Sequence, residues 1–392
     1  MQQFDVVIVG GAAVGSAAAY FLTAHPGLRG RSVLVLEQDP AYLWCATTRS
    51  VASIRHQFST PGNIRMSQFG TQFVCAAART LAVDGQAPDL AFREAGYLFL
   101  ASDAGQAVLQ HNHTLQRGCG ADVALLEPAQ LASRFPWLHT GDVSAGALGL
   151  TGEGWLDAYS LLMALRRKAI SQGALYRRAR VIGLRRDRHG VAAVLLDDGS
   201  EVQCSAVINA AGTGAAALSQ SVGIELPVQA RKRCVFFFRT PASVPDSPLV
   251  IDPTGVYFRP EGDGFIAGVA PPENADPQST DFEVDHALFD HTLWPALAHR
   301  VPGFAAARVV NAWAGHYDVN TFDQNLILGL HPELDNLYFA NGLSGHGLQQ
   351  APAIGRALAE LVVSGRFESL DLSEFGWSRV LANRPLRELN VV

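Results

Sequence analysis

The chain has 392 residues, of which 48% are hydrophobic and 17% are charged, and its formal net charge is −6. This length supports a large core and favours two structural units over one, whereas the acidic balance argues against a nucleic-acid-binding protein. The five cysteines include no C-x-x-C pair, which indicates reduced thiols and predicts no metal site.

The first predicted elements are a buried strand over residues 6–9, a turn, and a helix of small residues over 16–23. The turn contains three glycines, Gly10, Gly11 and Gly15. A glycine turn between a strand and a helix lets backbone N–H groups and the positive helix end meet a pyrophosphate. The pattern therefore predicts a phosphate-binding turn at the start of the chain.

A second predicted strand over residues 33–36 leads to Glu37, which follows Gly15 by 22 residues. A carboxylate at this spacing can accept a hydrogen bond from a ribose hydroxyl, as the dinucleotide fingerprint requires. The turn departs from G-x-G-x-x-G at Ala12, whose methyl group we expect to crowd the phosphate. Strand, turn, helix and acidic residue together predict a dinucleotide-binding unit.

The hydropathy pattern and the N-terminus bear on location. The most apolar stretch, residues 6–22, is divided by its glycines, so we expect no membrane span. The first strand begins by Asp5, so we expect neither a secretion nor a transit peptide. These features predict a cytoplasmic protein.

The rest of the chain alternates between helical and strand-like periodicity. Residues 41–61 have no clear period and predict a long loop, and Asp197, Asp198 and Gly199 predict a hairpin turn. The predicted helices cover 62–81, 103–117, 160–172 and 287–300, and the predicted strands cover 97–101, 179–184, 191–196, 201–204, 207–212, 232–239, 255–259, 264–269 and 337–341.

The segment after the last strand is the second glycine-rich loop with a helix behind it. Gly342, Gly345 and Gly347 would let the backbone touch a planar ligand, and Pro352 suits a first helical turn. A helix start aimed at the pyrimidine edge of a flavin would stabilise the anionic reduced ring. This segment favours FAD over NAD as the dinucleotide.

Nucleotide-type patterns therefore occur at residues 6–37, 207–212 and 337–350, with more antiparallel patterns between them. We predict an α/β protein with a discontinuous, Rossmann-type FAD-binding domain and an inserted α+β substrate domain built on an antiparallel sheet. The FAD-binding domain is predicted over 1–82, 150–226 and 322–392, and the substrate domain over 83–149 and 227–321.

Several of these motifs resemble the D-amino-acid oxidase/sarcosine oxidase superfamily of FAD enzymes. The resemblance rests on the opening fingerprint, on residues 209–212 and on residues 345–347. Longer segments are similar to mitochondrial FAD-dependent oxidoreductase-domain proteins linked to complex I assembly; these segments are residues 53–59, 231–233, 313–324 and 342–352.

The resemblance implies oxidation of the C–N bond of an amino acid or N-alkylated amino acid by hydride transfer to flavin N5, giving an imine that hydrolyses. An electron acceptor, O2 or another carrier, would then reoxidise the flavin. Sarcosine oxidases attach FAD through a cysteine where this chain has His316, so we expect noncovalent FAD. The lysine that promotes oxygen reaction would fall near Ile266 and is missing, which leaves oxidase and dehydrogenase open.

The resemblance also implies the residues that hold the cofactor. The expected FAD-binding residues are Gly10, Gly11, Ala13, Val14, Gly15, Glu37, Gln38, Arg49, Ser50, Val181, Ala211, Gly212, Gly342, Ser344, Gly345, His346, Gly347 and Leu348.

The expected catalytic residues are Arg55, His56, Tyr257, His316 and Gln349. Arg55 matches the arginine that holds the substrate carboxylate in sarcosine oxidases, and a guanidinium fork suits that two-point contact. Gln349 stands where those enzymes use a lysine. Tyr257 is expected on the strand face that borders the pocket, and His316 could orient flavin or substrate; a structural role for each histidine stays open.

Two other functions remain open. A 2-hydroxy-acid dehydrogenase of the same superfamily would need a base for the hydroxyl proton, and His56 or His316 could supply it. The similarity to the mitochondrial proteins also allows a flavin-binding assembly factor of a respiratory complex without turnover.

Overall fold

Two eight-stranded sheets organise residues 2–389, the part of the chain that this computed structural model describes. The strands are β1 (Gln2–Val9), β2 (Val33–Glu37), β3 (Ser53–Ile54), β4 (Tyr97–Ala101), β5 (Val123–Leu126), β6 (Ala145–Gly149), β7 (Gly154–Trp155), β8 (Leu175–Arg178), β9 (Val181–Asp187), β10 (Gly190–Leu196), β11 (Glu201–Asn209), β12 (Val228–Arg239), β13 (Leu249–Ile251), β14 (Tyr257–Glu261), β15 (Gly264–Gly268), β16 (Arg308–Asn320), β17 (Ile327–His331) and β18 (Leu334–Asn341). The helices are α1 (Ala13–Ala24), α2 (Pro61–Cys75), α3 (Ala77–Thr80), α4 (Gln106–Gly118), α5 (Pro128–Arg134), α6 (Ala158–Ser171), α7 (Ala215–Gln220), α8 (Trp294–Arg300), α9 (Gly347–Ser364) and α10 (Trp377–Leu381).

The first sheet has the strand order β17-β18-β11-β1-β2-β8, with β10 and β9 attached to β11. Its central strands β18, β11, β1, β2 and β8 run parallel. A parallel sheet is covered on both faces, which is why β1 and β2 are nearly continuous apolar runs. Helix α1 packs between this sheet and α9, and Gly355 permits the approach because a Cβ there would meet the backbone of Ala17.

The second sheet has the order β16-β12-β15-β14-β13-β4-β6-β5 and is antiparallel except for the β13–β4 pair. Its alternating inward residues form a separate core dominated by phenylalanine rings. The rings at the centre of that core are Phe236, Phe238, Phe258, Phe265 and Phe304.

The chain passes between the sheets several times. Strands of the first sheet come from residues 2–37, 175–209 and 327–341, and strands of the second from 97–149 and 228–320. The small antiparallel ladder β3–β7 joins the loop before α2 to the segment after β6. The predicted α/β class is confirmed, and the domain boundaries stay a prediction.

Several predicted elements, and the predicted position of Pro352, differ from the structure. The helix predicted over 62–81 is broken at Ala76 into α2 and α3, and the helix over 287–300 begins as a π-helical turn, Phe289–Leu293. The strands predicted over 201–204 and 207–212 are one strand, β11. Pro352 lies inside α9 and not in its first turn, because that helix begins at Gly347.

No helix within residues 2–389 combines the length and the apolar character that crossing a lipid bilayer requires. The longest, α9, has 18 residues and packs along α1 and α2.

Candidate functional site

The opening glycine turn is built for close approach of the backbone. Gly10 has φ +96°, and a Cβ there would collide with the carbonyl of Ala210, the residue after β11. A Cβ on Gly15 would collide with the carbonyl oxygen of Gly10. Two of the three glycines are therefore required for the strand-to-helix turn itself.

The start of α1 is open to an anion. Its N-cap, Ala12, provides no side-chain cap, and of the first-turn N–H groups that of Ala13 donates to Thr47 Oγ1 at 3.3 Å. Uncapped N–H groups and the helix dipole attract negative charge. Ala13, Val14 and Gly15 thus present the features that a dinucleotide pyrophosphate needs, and the turn fits the predicted FAD.

Glu37 ends β2 directly beside this turn. Its Oε2 accepts from the N–H of Gly11 at 2.8 Å and its Oε1 from the N–H of Asp39 at 2.8 Å. These bonds fix the carboxylate, while burial raises its pKa. The buried hydroxyl of Tyr42 has no partner in residues 2–389 and lies beside Gly11 and Glu37, so it is a further group that a nucleotide could engage.

The second glycine turn faces the first. The N–H of Ala210 donates to the carbonyl of Val9, and the N–H of Ala211 to the buried Asn209 side chain. Gly212 has φ +54°, and no heavy atom of its surroundings lies within 4 Å of where a Cβ would be. The left-handed backbone, and not a close contact, is therefore the reason that glycine suits this position.

The closing glycine loop is held by a buried carboxylate. Asp318 on β16 accepts from the N–H groups of Gly342 and Leu343 at 2.9 and 3.2 Å, and its carbonyl accepts from the N–H of Ser344. Burial raises the pKa of Asp318 to about 6. Asp318 therefore supports the closing loop by accepting from its backbone N–H groups.

For Gln38, Val181 and Arg49 the contact with FAD stays a prediction, and the structure gives their surroundings. Gln38 is exposed next to Glu37. Val181 lies two residues after Ala179, whose N–H donates to the carbonyl of Glu37. The Arg49 guanidinium lies between the rings of Trp44 and Phe282, at 4.3 and 4.9 Å from their centroids, and donates to the carbonyl of Ala314.

A cavity lies between the closing loop, the loop before α2 and the second sheet. Its accessible volume is about 60 Å³, and it is partly open to solvent. Residues from both ends of the chain and from the middle form its walls: Ser50, Val51, Ala52, Ser53, Arg55, Tyr97, Ile251, Tyr257, Tyr317, Gly345, His346, Leu348 and Gln349. The start of α9 therefore borders the cavity, and its predicted contact with the flavin ring stays a prediction.

Arg55 supplies the permanent charge of the cavity and is 3% exposed. Its Nη1 donates to the carbonyl of Gln57 at 3.2 Å, and its Nη2 lies 3.2 Å from His346 Nε2. The guanidinium carbon lies 4.4 Å from the centroid of the Phe58 ring and 5.2 Å from that of Phe99. A guanidinium held against aromatic rings keeps its charge while its plane is oriented.

Gln349 holds the backbone under that guanidinium. Its Oε1 accepts from the N–H of Arg55 at 2.9 Å and from the hydroxyl of Ser67 at 3.3 Å. Gln349 thereby connects the start of α9 to the Arg55 loop and lines the cavity itself.

Three tyrosines contribute to the wall of the cavity. Tyr257 was expected there, whereas Tyr97 and Tyr317 were not. Burial raises the pKa of all three, so they stay neutral hydroxyl groups. Tyr97 Oη lies 3.1 Å from Ser53 Oγ. A continuous apolar strand such as β4 does not indicate which tyrosine meets a site, so only the tertiary structure identifies Tyr97 and Tyr317.

The two other expected catalytic residues do not line the cavity. The Nε2 of His56 lies 2.9 Å from the hydroxyl of Thr71, and His56 is not among the lining residues. His316 packs against the Phe282 ring, on the strand face opposite Tyr317. Burial lowers the pKa of both, that of His56 to about 4.

Within residues 2–389, one group of side chains could ligate a metal ion, and it lies apart from the cavity. The exposed side chains of His139, Asp142 and His299 meet at the surface, and Asp142 there accepts two hydrogen bonds from Arg300. The guanidinium neutralises the carboxylate, which disfavours a cation.

Comparison with known proteins adds to this geometry. The family model described as FAD dependent oxidoreductase matches residues 5–361. FAD-dependent oxidoreductase domain-containing protein 1 of Xenopus laevis is 42% identical over 425 residues, which span 100% of this chain and 85% of that protein. Glycine oxidase of Geobacillus kaustophilus is 28% identical over 96% of this chain and 97% of that protein.

Solved structures show the same arrangement of sheets. The crystal structure of that glycine oxidase aligns with a TM-score of 0.81 at 26% identity, over 96% of this chain and 98% of the other. L-proline dehydrogenase from P. horikoshii aligns with a TM-score of 0.86 at 23% identity, over 98% and 100% of the two chains.

Proposed function

Because this chain belongs to the family of FAD-dependent oxidoreductases, as its motifs predicted, we propose that it oxidises the C–N bond of an amino acid or an N-alkylated amino acid. The substrate carbon next to nitrogen loses a hydride, the nitrogen lone pair forms the C=N bond, and water hydrolyses the resulting imine to a carbonyl compound and an amine. Glycine oxidase, a relative of 28% identity, acts by its name on an amino acid.

The observation that carries this proposal is the buried guanidinium of Arg55 in the cavity wall. Among the described residues of that wall it is the one with a permanent charge, and no carboxylate is among them. A buried cation with aromatic neighbours is suited to a substrate carboxylate, which both pairs with the charge and accepts two parallel hydrogen bonds.

The remaining wall residues orient the substrate. FAD, when bound at the glycine turns, accepts the hydride. With the carboxylate at Arg55, the rings of Tyr97, Tyr257 and Tyr317 leave an uncharged space for the amine and its substituents. No general base is required if the amine enters neutral, so the protein contributes orientation and exclusion of water.

The hydroxy-acid alternative has less support. It needs a base at the hydroxyl group, and the two histidines that could provide one, His56 and His316, do not line the cavity. The histidine that does, His346, already has its Nε2 directed at Arg55. An assembly role without turnover has no specific observation in its favour.

Anaerobic bleaching of the protein-bound flavin tests the proposal. The purified yellow protein is mixed with glycine, N-methylglycine, alanine or proline, and in parallel with glycolate or lactate. We expect bleaching by members of the amine series and none by the hydroxy acids. Bleaching by hydroxy acids alone, or by no compound, contradicts the proposal. Admission of air then measures how quickly O2 restores the colour, which separates an oxidase from a dehydrogenase.

A further inference from the structure

A buried carboxylate lies directly behind the Arg55 loop. Glu153 is 1% exposed and accepts two hydrogen bonds from that loop. Its Oε1 receives the backbone N–H of His56 at 2.6 Å, and its Oε2 receives the side-chain amide of Gln57 at 2.8 Å. The proposed reaction gives this acid no role, although burying it costs free energy.

The fold places Glu153 opposite Arg55. In the antiparallel ladder β3–β7, Ser53 pairs with Trp155 and Ile54 with Gly154. Continuing this register by one residue sets Arg55 opposite Glu153. Space for the carboxyl group comes from Gly149, where any Cβ would collide with Glu153 Oε2.

Gln57 connects the two charges. Its side-chain amide donates to Glu153, and its carbonyl accepts from Nη1 of Arg55 at 3.2 Å. The other titratable groups that act on Glu153 or on its neighbours are few. Burial raises the pKa of Tyr97 and lowers that of His56, so both stay neutral near pH 7. Glu94 lies at the surface, where its carboxylate accepts from the N–H of Gly152.

We propose that Glu153 is a positioning residue that links substrate binding to a proton: it fixes the loop that presents Arg55, and it takes up a proton from solvent when a carboxylate binds to Arg55. The link rests on the proposed function because it takes Arg55 as the carboxylate anchor. The step is the conversion of one carboxylate to one carboxylic acid, and no electron moves.

The electrostatic balance at this position supports the link. Burial raises the pKa of Glu153 to about 7, against the hydrogen bonds from the loop and the charge of Arg55, which lower it. A substrate carboxylate offsets the charge of Arg55, so the pKa of Glu153 rises further when it binds. Proton uptake follows, and the affinity for carboxylates falls as the pH rises through neutrality.

Acetate tests this link without turnover. Its dissociation constant is measured on the FAD-loaded protein from the change in flavin absorbance between pH 7 and 9, above the pKa of Asp318, about 6, and that of the cavity histidine, about 3. If acetate shifts Glu153 by one pKa unit, the constant rises about fivefold over this range. Methyl acetate, which has no charge, is the ligand control.

Two variants show which carboxylate causes the pH dependence of acetate binding. Glu153→Gln keeps the volume of the side chain and removes the titration, so its acetate affinity is expected to be independent of pH. Glu94→Gln removes an exposed carboxylate from the same region and is expected to keep the dependence of the parent protein. A pH dependence that persists in Glu153→Gln, or none in the parent protein, overturns the link.

A second measurement needs no variant. Acetate adjusted to pH 7 is added to weakly buffered protein with a pH indicator, and uptake of a fraction of one proton per site is expected; release or no change overturns the link. If acetate shows the expected behaviour but no amine bleaches the flavin, the proposed reaction fails and the link between Arg55 and Glu153 stands.

Discussion

Nη2 of Arg55 lies 3.2 Å from Nε2 of His346, although 291 positions separate the two residues in the chain. Because a guanidinium only donates, Nε2 is the acceptor and the imidazole proton lies on Nδ1. Burial, and then the charge of Arg55, lower the pKa of His346 to about 3. The pair therefore carries one positive charge, which stays constant across the physiological range of pH.

Replacement of Arg55 by methionine tests the carboxylate anchor. Charge-assisted hydrogen bonds contribute about 1.5–3 kcal/mol each, so we expect the acetate dissociation constant to rise about 10- to 100-fold while FAD stays bound. Arg177→Met removes an exposed arginine that pairs with Asp198 and should leave the constant unchanged. Equal acetate affinity in Arg55→Met and the parent protein would count against the anchor.

Thermal unfolding at several pH values tests the burial of Glu153. Its folded-state pKa, about 7, exceeds the reference value of 4.5. The folded protein therefore loses stability as the pH rises from 4.5 to 7, because only the unfolded chain ionises this group there. The loss is about 3 kcal/mol, so Glu153→Gln should gain stability relative to the parent protein between pH 5 and pH 8. Parallel curves of melting temperature against pH would contradict this assignment.

The first glycine turn is tested by Gly15→Ala. The new methyl group would meet the carbonyl oxygen of Gly10, so we expect a loss of about 1–3 kcal/mol and of FAD binding. Gly118→Ala is the matched control, because no atom lies within 4 Å of its Cβ position at the end of α4. That variant should keep FAD and gain up to about 1 kcal/mol. FAD binding is measured from the yellow colour of the purified protein, and stability from its melting temperature.

The closing loop is tested by Asp318→Ala. Without the carboxylate, the buried N–H groups of Gly342 and Leu343 lose their acceptor, at a cost of about 1–3 kcal/mol. We expect weaker FAD binding, measured by release of the flavin on dilution. Asp371→Ala removes an exposed carboxylate that accepts from the N–H of Ser373 and should leave FAD binding intact. Equal flavin release from both variants would exclude Asp318 as the support of this loop.

The elements that were predicted well are those with a strong local period. Strand β4 and the strand at residues 33–36 were found within one residue, because each is a buried apolar run between breakers. Boundaries were wrong where the surroundings decide: β11 continues through residues 205–206 because it pairs with β1 along its whole length. Pro352 is accommodated inside α9, which shows that a proline does not mark the first turn reliably.

The residues predicted to be catalytic were also placed only partly by the sequence. His56 is predicted from the sequence as a possible base, whereas the structure directs its side chain to Thr71, outside the cavity lining. His346 contacts Arg55 in its place, and no spacing along the chain indicates that contact.

The sequence by itself determined the family, the cofactor and the dinucleotide turn, because the contacts of that turn join Gly10, Gly11, Gly15 and Glu37 within one βαβ unit whose glycines and acid have fixed offsets. Only the tertiary structure decided the composition of the cavity. Tyr97, Tyr317 and His346 line it from three distant segments, and Glu153 lies behind the Arg55 loop. They meet Arg55 because the closing loop, the second sheet and the loop before α2 converge there. Such long-range contacts depend on packing, which leaves no periodic mark in the chain.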